Sequence, residues 1–556
     1  MRDDVDWATP IAATPVTTLL DRTVAACPDR PAIDFLGRHT SYAELARLVD
    51  RAACGFQQLG VRKGTRVGLC LPNSPYYVIC YYAVLRAGGV VVNFNPLYVE
   101  RELHHQIEDS GTTIMVTLDI RQIYPKVAAM LETSCLERVV VCSMTGILPA
   151  VKSVMFSVFK RSEVAPVPND LRHVGFERLV ANDGTVRPVA IEPERDLAVL
   201  QYTGGTTGVP KGAMLTHANL SANVEQLRRW VPAIELGREK MLLVLPLFHV
   251  FAMTVGMNLG VALGAELILL PRFDLQQVMK CITRKRPTLF PGVPTIYTAL
   301  NGAAQSGNWD LSSIRYCISG GAPLPLEVRN RFEGLTGCHL VEGYGLSETA
   351  PVATCNPFGG EARPGSVGLA MPQTVIEIRS LTDPHRLAEP GEKGEVCVRG
   401  PQVMAGYWQR PDDTAAVMID GALRTGDIGT LDRDGYLFLV DRIKDVILCG
   451  GYNVYPRAVE EALYQHPAVA EAVVIGIPDP YRGQAPKAFV RLRDGHDATA
   501  DQIRDFLAGY LSRIEMPKEI ELRSQLPKTM VGKLSKKELV AEERAKDERP
   551  QPSASA

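Results

Sequence analysis

The chain has 556 residues, and its 60 basic and 62 acidic side chains give a formal net charge of −2. Its length exceeds the ~100 to 200 residues of an ordinary domain, which predicts at least two folding units around a large core. Hydrophobic residues make up 46% and charged residues 22% of the chain, as in an ordinary globular protein. The near-zero net charge argues against a nucleic-acid binder that depends on a strongly basic surface.

The cysteines and the first residues indicate the cellular compartment. Twelve cysteines are scattered singly, without a C-x-x-C pair or Cys/His ligand spacing, which predicts reduced thiols in a cytoplasmic protein. The start of the chain is acidic and lacks the apolar run of a secretory signal. The best candidate for a membrane span, Tyr76 to Leu85, ends at Arg86 and is shorter than the ~18 residues required, so it predicts a buried helix.

Residues 1 to 140 alternate between helical and strand-like pieces. Ser41, with Glu44 three residues later, resembles a capping box and begins a helix that runs to Leu59. A strand is predicted over 66–71, and further short apolar runs follow. This alternation predicts a mainly parallel α/β sheet.

Residues 146 to 161 interrupt the alternation. Their apolar residues fall on one helical face, with positive charge nearby from Lys152, Lys160 and Arg161. Two interpretations stay open, namely an interfacial helix that rests on anionic lipid and an amphipathic helix that packs on the domain.

From Asp196 onward the α/β alternation resumes. Strands are predicted over 197–202, 241–247, 267–270, 314–319 and 339–341, and helices begin at Thr216 and at Leu275. Polar and glycine-rich segments follow several of these strands directly. Since ligands bind at the carboxyl ends of strands in open α/β sheets, this placement predicts a site there.

The C-terminal third has a different texture. Short strands and turns over about 360–441 predict a β-rich part, with a small barrel as one form and a hairpin around 432–435. Residues 442–541 predict a compact second domain. The charged and then Pro-Ser-Ala-rich tail over 542–556 is expected to be disordered.

The segment from Tyr202 to Gly212 combines four glycines, three threonines and a lysine between an apolar run and a predicted helix. Glycine lets backbone N–H groups approach an anion, and Lys211 adds a charge, so the segment suits a phosphate-binding loop. It is not a Walker A loop, because Lys211 follows Pro210 and precedes Gly212. A flexible surface connection is the alternative.

Six motifs occur in a fixed order, and with them the chain resembles the adenylate-forming enzymes, which include acyl-CoA synthetases, luciferases and the adenylation domains of peptide synthetases. Among these it is most similar to bacterial long-chain fatty acid–CoA ligases. The motifs are Tyr-Thr-Gly-Gly-Thr-Thr-Gly-Val-Pro-Lys-Gly at 202–212, Pro-Leu-Phe-His at 246–249, Gly-Tyr-Gly-Leu-Ser-Glu-Thr at 343–349, Arg-Thr-Gly-Asp at 424–427, Asp-Arg-Ile-Lys-Asp at 441–445 and Pro-Lys-Thr-Met-Val-Gly-Lys at 527–533.

The resemblance implies an α/β fold, in which a large N-terminal domain of layered α/β sheets with a small β-barrel (1–441) carries a smaller, mobile α+β C-terminal domain (442–541). It also implies two half-reactions. A fatty carboxylate attacks ATP, with Mg²⁺ bound, to give acyl-adenylate and pyrophosphate, and the coenzyme A thiolate then displaces AMP. The implied acid is of medium to long chain length.

The resemblance assigns roles by position. Lys533, His249 and Glu348 are the implied catalytic residues, with Lys533 placed between the substrate carboxylate and the α-phosphate. Glu348 and Thr206 would hold Mg²⁺. The remaining assignments are ATP or AMP binding by Thr203, Gly204, Gly205, Thr206, Thr207, Gly208, Lys211, Gly320, Gly321, Ala322, Gly343, Tyr344, Gly345, Ser347, Asp427 and Arg442, an acyl pocket of Val250, Phe251, Met253 and Met257, coenzyme A contacts from Gly450, Gly451 and Tyr452, and a hinge at Lys444 and Asp445.

Each residue also has a structural interpretation. Lys533 could be an exposed lysine near a charged tail, and Asp427 with Arg442 could form a turn cap and a surface ion pair. Glu348 could be a carboxylate at a helix N-terminus. His249 could be a satisfied core histidine, and the apolar stripe after it could be plain core.

Two positions depart from the family pattern. Leu423 replaces the usual tyrosine before Arg424, and the lysine-proline step that is common after the last helix is replaced by Glu-Met-Pro-Lys at 515–518. Two other functions remain open, a fatty acyl-AMP ligase that loads a carrier protein and a catalytically silent adenylate-binding protein. Light emission is disfavoured, because the second histidine and the glycine of the luciferase motif are absent around His249. The expected partners are the fatty acid, ATP and coenzyme A without nucleic acid. Peripheral contact of 146–161 with the inner face of the membrane and a homodimer are kept open.

Overall fold

The fold is that of a computed structural model, which describes residues 5–547 except 8, 204–209, 232–233, 305–306, 361 and 530–531. The helices of the described part, in chain order, are α1 Thr17–Ala26, α2 Tyr42–Gln58, α3 Pro75–Arg86, α4 Glu100–Ser110, α5 Tyr124–Thr133, α6 Met144–Ile147, α7 Ala150–Phe159, α8 Phe176–Leu179, α9 His217–Trp230, α10 Leu259–Ala262, α11 Leu275–Lys285, α12 Pro294–Ala303, α13 Leu326–Thr336, α14 Pro411–Val417, α15 Pro456–Tyr464, α16 Ala500–Leu507 and α17 Lys536–Asp547.

The strands are β1 Pro31–Phe35, β2 Arg38–Ser41, β3 Arg66–Cys70, β4 Val90–Asn93, β5 Ile114–Leu118, β6 Arg138–Cys142, β7 His173–Gly175, β8 Leu197–Thr203, β9 Lys211–Thr216, β10 Lys240–Leu243, β11 Glu266–Leu269, β12 Tyr316–Gly320, β13 His339–Gly345, β14 Val352–Cys355, β15 Leu369–Ala370, β16 Val375–Arg379, β17 Gly394–Arg399, β18 Met418–Ile419, β19 Ala422–Leu431, β20 Leu437–Arg442, β21 Ile447–Cys449, β22 Tyr452–Val454, β23 Val469–Asp479, β24 Gly483–Leu492 and β25 Glu519–Leu522.

Two sheet layers form the large N-terminal part, the first mainly parallel and the second with three parallel and three antiparallel strand pairs. The first has the order β7-β6-β5-β3-β4-β8-β9, and only its last pair, β8 with β9, is antiparallel. The second consists of β10-β11-β1-β2 and β12-β13-β14-β15, which Leu289 joins by bridges to Met241 and Tyr316. The predicted α/β fold class is confirmed.

Helix α3 contains the segment 76–85, which is the best candidate for a membrane span and is predicted to be a buried helix. Its residues from Pro75 to Leu85 are all buried, and Tyr77, Tyr81 and Tyr82 are fully enclosed. A helix that is apolar all round needs partners on every side. Within the described residues, no helix combines the length and the apolar character that crossing a membrane requires.

Local sequence signals fix several boundaries. The Ser41 hydroxyl accepts a hydrogen bond from the Glu44 N–H in a complete capping box, as predicted, and α2 ends at Gln58. Thr216 caps α9 in the same way with Asn219. Strand β10 is shorter than predicted, because residues after Leu243 leave the sheet.

The C-terminal third contains two more sheets. Strands β16-β17-β19-β18, with β20 on β19, form an antiparallel sheet whose described pairings do not close into a ring. The last domain has the sheet β22-β21-β24-β23, with β25 parallel to β24. Helix α17 continues to Asp547, so the prediction that disorder begins at 542 is wrong for 542–547. Leu539 of this helix is fully buried and packs with the β23 core, which gives the helix its anchor.

Candidate active site

A cleft of about 3640 Å³ lies where the carboxyl ends of β8, β12 and β13 meet the β-rich part and the last domain. It collects most of the residues singled out from sequence. Those that line it are Thr203, His249, Val250, Phe251, Gly320, Gly321, Ala322, Gly343, Tyr344, Gly345, Ser347, Glu348, Asp427, Arg442, Lys444, Asp445 and Lys533. Predicted residues from all six motifs therefore line the same cleft.

Lys533 reaches into this cleft from the last domain. A Cβ built on Gly321 would lie 2.1 Å from Lys533 Cε and 2.5 Å from its Nζ, so the ammonium rests directly on the glycine turn after β12. Burial, with the charge of Arg442 nearby, lowers the pKa of Lys533 to about 8. In the described part of the chain no carboxylate lies within salt-bridge distance of this ammonium, so a cation is held in the cleft without an anion.

His249 follows β10 and also faces the cleft. The Phe251 backbone N–H donates to its Nδ1 at 3.3 Å, so in the neutral ring Nε2 carries the proton. Burial, with Lys533 nearby, lowers the pKa of His249 to about 3, which keeps the ring neutral at physiological pH. The histidine is thus a hydrogen-bond donor at the cleft surface rather than a charge.

Asp427, Tyr344 and Arg442 form one cluster in the cleft wall. Asp427 and Arg442 are register partners in β19 and β20, and Arg442 Nε lies 3.3 Å from Asp427 Oδ1. The Tyr344 hydroxyl donates to Asp427 Oδ2 at 2.6 Å. Burial raises the pKa of Asp427, although Arg442 and Tyr344 oppose the shift. Asp427 and Arg442 therefore do form the ion pair of the structural interpretation. It is not a plain surface pair, because both residues line the cleft and the carboxylate is buried.

Glu348 lies in the 3₁₀ turn Ser347–Thr349 that follows β13. Its Oε1 accepts a hydrogen bond from the Tyr407 hydroxyl at 2.8 Å. The end of β13 that leads into the turn is closely packed, since a Cβ on Gly345 would come within 1.7 Å of the Pro351 carbonyl oxygen, so only glycine fits there. The turn therefore presents a fixed carboxylate to the cleft.

The segment that is predicted to bind phosphate is only partly described. Gly204, Gly205, Thr206, Thr207 and Gly208 lie outside the described residues, whereas the flanking Thr203 and Lys211 are paired in the β8–β9 ladder. Lys211 does not line the cleft itself. Its Nζ lies 2.6 Å from Asp413 Oδ1 and 5.3 Å from the centre of the Tyr407 ring.

The residues expected to form an acyl pocket separate into two groups. Val250 and Phe251 line the cleft, and Phe251 packs against Gly320. Met253 and Met257 are fully buried in the π-helical segment Ala252–Asn258 and are not among the cleft-lining residues. The Asn93 side-chain amide of β4 donates to Met253 Sδ at 3.4 Å, and the acyl-pocket role of both methionines stays a prediction.

The C-terminal residues also separate. Lys444 and Asp445 lie in the 3₁₀ turn Ile443–Asp445 at the cleft edge. Gly450 and Gly451 are exposed, as is Tyr452 at 63%, and none of the three is in the cleft-lining set. In this arrangement the cleft receives Lys533 and not the β21–β22 hairpin.

Sequence reasoning missed the side chains that connect the motifs. Tyr407 joins Glu348 to the Lys211 neighbourhood, and Glu327 of α13 binds Arg493 of the last domain through two hydrogen bonds of 2.9 and 2.7 Å. The Gly-Tyr-Trp run at 406–408 was an available signal for the first. Charge pairs so distant in sequence leave no local pattern.

Comparison with known proteins decides the family. The model for AMP-binding enzymes matches residues 20–408, and the model for the AMP-binding enzyme C-terminal domain matches residues 458–533. The chain belongs to the AMP-binding enzyme family. The second match ends at Lys533, the lysine that lies on Gly321 in the cleft.

This AMP-binding enzyme is similar to curated proteins along nearly its whole length. It is 43% identical to the long-chain-fatty-acid–CoA ligase of Bacillus subtilis (strain 168), with 97% of each chain covered. It is 38% identical to the long-chain-fatty-acid–CoA ligase of Escherichia coli O157:H7, covering 95% of this chain and 94% of that protein. Among solved structures, ATP-bound MatB from Rhodopseudomonas palustris superposes with a TM-score of 0.83 at 29% identity, covering 96% of this chain and 99% of that one.

Proposed function

We propose that this AMP-binding enzyme is an AMP-forming fatty acid–CoA ligase that converts a medium- to long-chain carboxylic acid through acyl-adenylate to acyl-CoA. The observation that carries the proposal is Lys533, an ammonium held in the cleft on Gly321 without a carboxylate partner. Bringing a carboxylate toward an α-phosphate joins two anions, and a cation placed between them stabilises the charge that builds up.

The other cleft residues fit the same reaction. Asp427 has buried oxygens suited to ribose hydroxyls, beside Tyr344, whose ring can stack on adenine. His249 Nε2–H can donate to the acyl carboxylate, and Val250 with Phe251 offers an apolar wall for the chain.

The carboxylate of Glu348 fits Mg²⁺, which prefers oxygen ligands and shares them with substrate phosphates. Thr206, the second proposed ligand, lies outside the described residues. Bound there, Mg²⁺ would supply positive charge to the phosphates that leave as pyrophosphate.

We further propose that the C-terminal domain turns about Lys444 and Asp445 between the two half-reactions. The support is that Lys533 occupies the cleft on Gly321, while Gly450, Gly451 and Tyr452, the implied coenzyme A contacts, are exposed outside the cleft-lining set. Short element-terminal segments are the usual sites of such hinges.

The proposal is tested by incubating the protein with ATP, Mg²⁺ and fatty acids of graded chain length, with and without coenzyme A. We expect pyrophosphate release, AMP and a thioester with coenzyme A. The Lys533→Ala variant is expected to lose adenylation but to form thioester from supplied acyl-adenylate. Adenylation without any thioester on coenzyme A would contradict the ligase proposal and favour a carrier-protein acceptor.

The exposed apolar face of helix α7 favours peripheral contact with a membrane as a second property of the protein. No residue of α7 is buried, and Val151, Val154, Met155, Val158 and Phe159 are 54 to 76% exposed. An apolar face of this kind does not pack on the domain, and Arg161 next to it adds positive charge. Such a helix suits the interface of an anionic bilayer.

Vesicle co-sedimentation tests this property. We expect binding to vesicles that contain an anionic phospholipid, and loss of binding in the Val154→Asp, Phe159→Asp double variant. Leu387→Asp is the matched control, since Leu387 is 57% exposed in the β-rich part. Equal loss in the control, or full binding by the double variant, would contradict the proposal.

A further inference from the structure

The segment 404–408 connects strand β9 to the turn that holds Glu348. It runs beside β9, where the Met214 N–H donates to the Gly406 carbonyl at 2.9 Å and the Trp408 N–H donates to the Gly212 carbonyl at 2.8 Å. At its other end the Met404 N–H donates to the Glu348 carbonyl at 2.8 Å. Its backbone is therefore bound both to the strand that begins with Lys211 and to the turn that holds Glu348.

Gly406 shows how closely this segment is packed. Its φ is +135°, and a Cβ there would lie 2.8 Å from Thr414 Cγ2. The Thr414 hydroxyl in turn accepts a hydrogen bond from the Tyr407 N–H at 2.9 Å. The direction of the Tyr407 side chain is thus set by the backbone on both sides of it.

The Tyr407 side chain contacts both charged groups. Its hydroxyl donates to Glu348 Oε1 at 2.8 Å, and its ring lies below Lys211 Nζ at 5.3 Å. Burial is the main cause that raises the pKa of Tyr407, and the nearby Glu348 charge raises it further. The hydroxyl therefore stays protonated and acts as a donor. One side chain therefore reaches the carboxylate with its polar end and the ammonium with its ring face.

We propose that Tyr407 is a positioning residue for the phosphate chemistry, whose hydroxyl orients the Glu348 carboxylate toward Mg²⁺ and whose ring positions the Lys211 ammonium for the ATP phosphates. This inference rests on the proposed function, which gives Glu348 its role at Mg²⁺, and on the ATP-binding role that the family resemblance implies for Lys211. Hydrogen bonds to a ligating carboxylate fix its orientation, and their loss typically weakens metal affinity about 10- to 100-fold.

The hydroxyl is tested by Tyr407→Phe, which keeps the ring. The probe is an ATP analogue with a methylene group in place of the α–β bridging oxygen, which cannot be cleaved, and its binding is followed by calorimetry over a series of Mg²⁺ concentrations. We expect the Mg²⁺ concentration for half-maximal analogue binding to rise about 10-fold or more. Analogue affinity at saturating Mg²⁺ is expected to stay within about 2-fold of wild type, because Lys211 and the ring are unchanged.

The ring is tested by Tyr407→Leu, which removes both contacts. This variant is expected to show the Mg²⁺ shift of Tyr407→Phe and also a weaker analogue affinity at saturating Mg²⁺. Tyr42→Phe is the matched control, since it removes a buried hydroxyl that donates to the Ala265 carbonyl at 2.7 Å, outside the cleft-lining set. The control is expected to keep the Mg²⁺ dependence of wild type.

A wild-type Mg²⁺ dependence in folded Tyr407→Phe would overturn the inference, and so would an equal shift in Tyr42→Phe. These outcomes are distinct from failure of the proposed function, which would appear as absence of acyl-CoA formation by the wild-type protein. Far-UV circular dichroism on each variant separates a positioning effect from unfolding, and an Mg²⁺ shift in a natively folded Tyr407→Phe supports the inference.

Discussion

Lys533 keeps its charge in surroundings that disfavour it. Desolvation next to Arg442 lowers its pKa to about 8, and no described carboxylate compensates. The same lysine would be an ordinary surface residue if it were exposed on its own domain. Its burial in the cleft makes it one of the cleft groups whose protonation falls within an accessible pH range.

The adenylation half-reaction should therefore depend on pH through Lys533. A lysine is charged below its pKa, so kcat/KM for pyrophosphate release is expected to be level below about pH 8 and to fall about 10-fold per unit at higher pH. His249 should add no break between pH 5 and 9, because its pKa is about 3. A pH profile of initial rates measures this.

Two variants separate the groups. Lys533→Arg keeps its charge at high pH, so it should be slower but should lack the break near pH 8. Burial raises the pKa of Glu342, which also lines the cleft, to about 7, so Glu342→Gln should remove any break near that pH and leave the break near pH 8. A wild-type profile that is level through pH 9.5 would contradict the role of Lys533.

Among the elements, the turn after β12 depends most on its exact residues. Gly320 contacts the Phe251 ring, and Gly321 has a φ of +82° and touches Lys533. Both glycines therefore leave room for side chains from other elements. The turn joins the apolar wall of the cleft to the lysine of the last domain.

Gly321→Ala should reproduce the loss of Lys533 without altering the lysine. The added Cβ would collide with Lys533 Cε, and a displacement of about 1 Å at a reacting group can cost about 100-fold in rate. We expect adenylation to fall by about that factor, with thioester formation from supplied acyl-adenylate retained. The two half-reactions are measured separately.

Gly337→Ala is the matched control for Gly321→Ala. Gly337 also has a positive φ, of +74°, but no atom lies within 4 Å of a Cβ built there. It should lower stability by about 1 to 2 kcal/mol through backbone strain and leave both half-reactions intact. Equal loss of both half-reactions in Gly321→Ala would show that the turn does more than admit the lysine.

Elements with strong local signals could be predicted from sequence. The capping box at Ser41 and the apolar strands of the first sheet are examples, because their signals lie within a few residues of each other. The π-helical turn at Ala252–Asn258 was not predictable in this way, since its period differs from the 3.6 residues on which helical faces are read. Met253 and Met257 lie buried in this segment, and their place in an acyl pocket stays a prediction.

At the scale of the whole molecule, the sequence motifs identified which residues meet but not what holds them together. Lys533 and Gly321 lie in different domains and were both singled out from motifs. The contacts between their domains come from residues outside any motif, such as Thr295, whose hydroxyl donates to the Gly532 carbonyl at 2.8 Å. These pairs follow from tertiary packing, which a local pattern does not record.

The pair of Glu327 with Arg493 should stabilise the arrangement in which Lys533 is in the cleft. Arg493 lowers the pKa of Glu327 through two hydrogen bonds, but the side chains are 57% and 30% exposed. Solvent screening limits such pairs to about 0.2 to 1 kcal/mol. Glu327→Arg should therefore slow adenylation by about 2- to 5-fold, with a smaller effect at high salt.

The charge-swapped double variant distinguishes two explanations. In the first, the Glu327–Arg493 pair acts as a latch that holds Lys533 in the cleft; in the second, the single variants lose structure in general. Glu327→Arg with Arg493→Glu restores opposite charges at the same two positions and should recover most of the adenylation rate. Thioester formation from supplied acyl-adenylate should be unaffected or faster in each single variant, because the proposed turn of the C-terminal domain would have to break the pair. A double variant as slow as either single variant would show that the pair does not act as a latch.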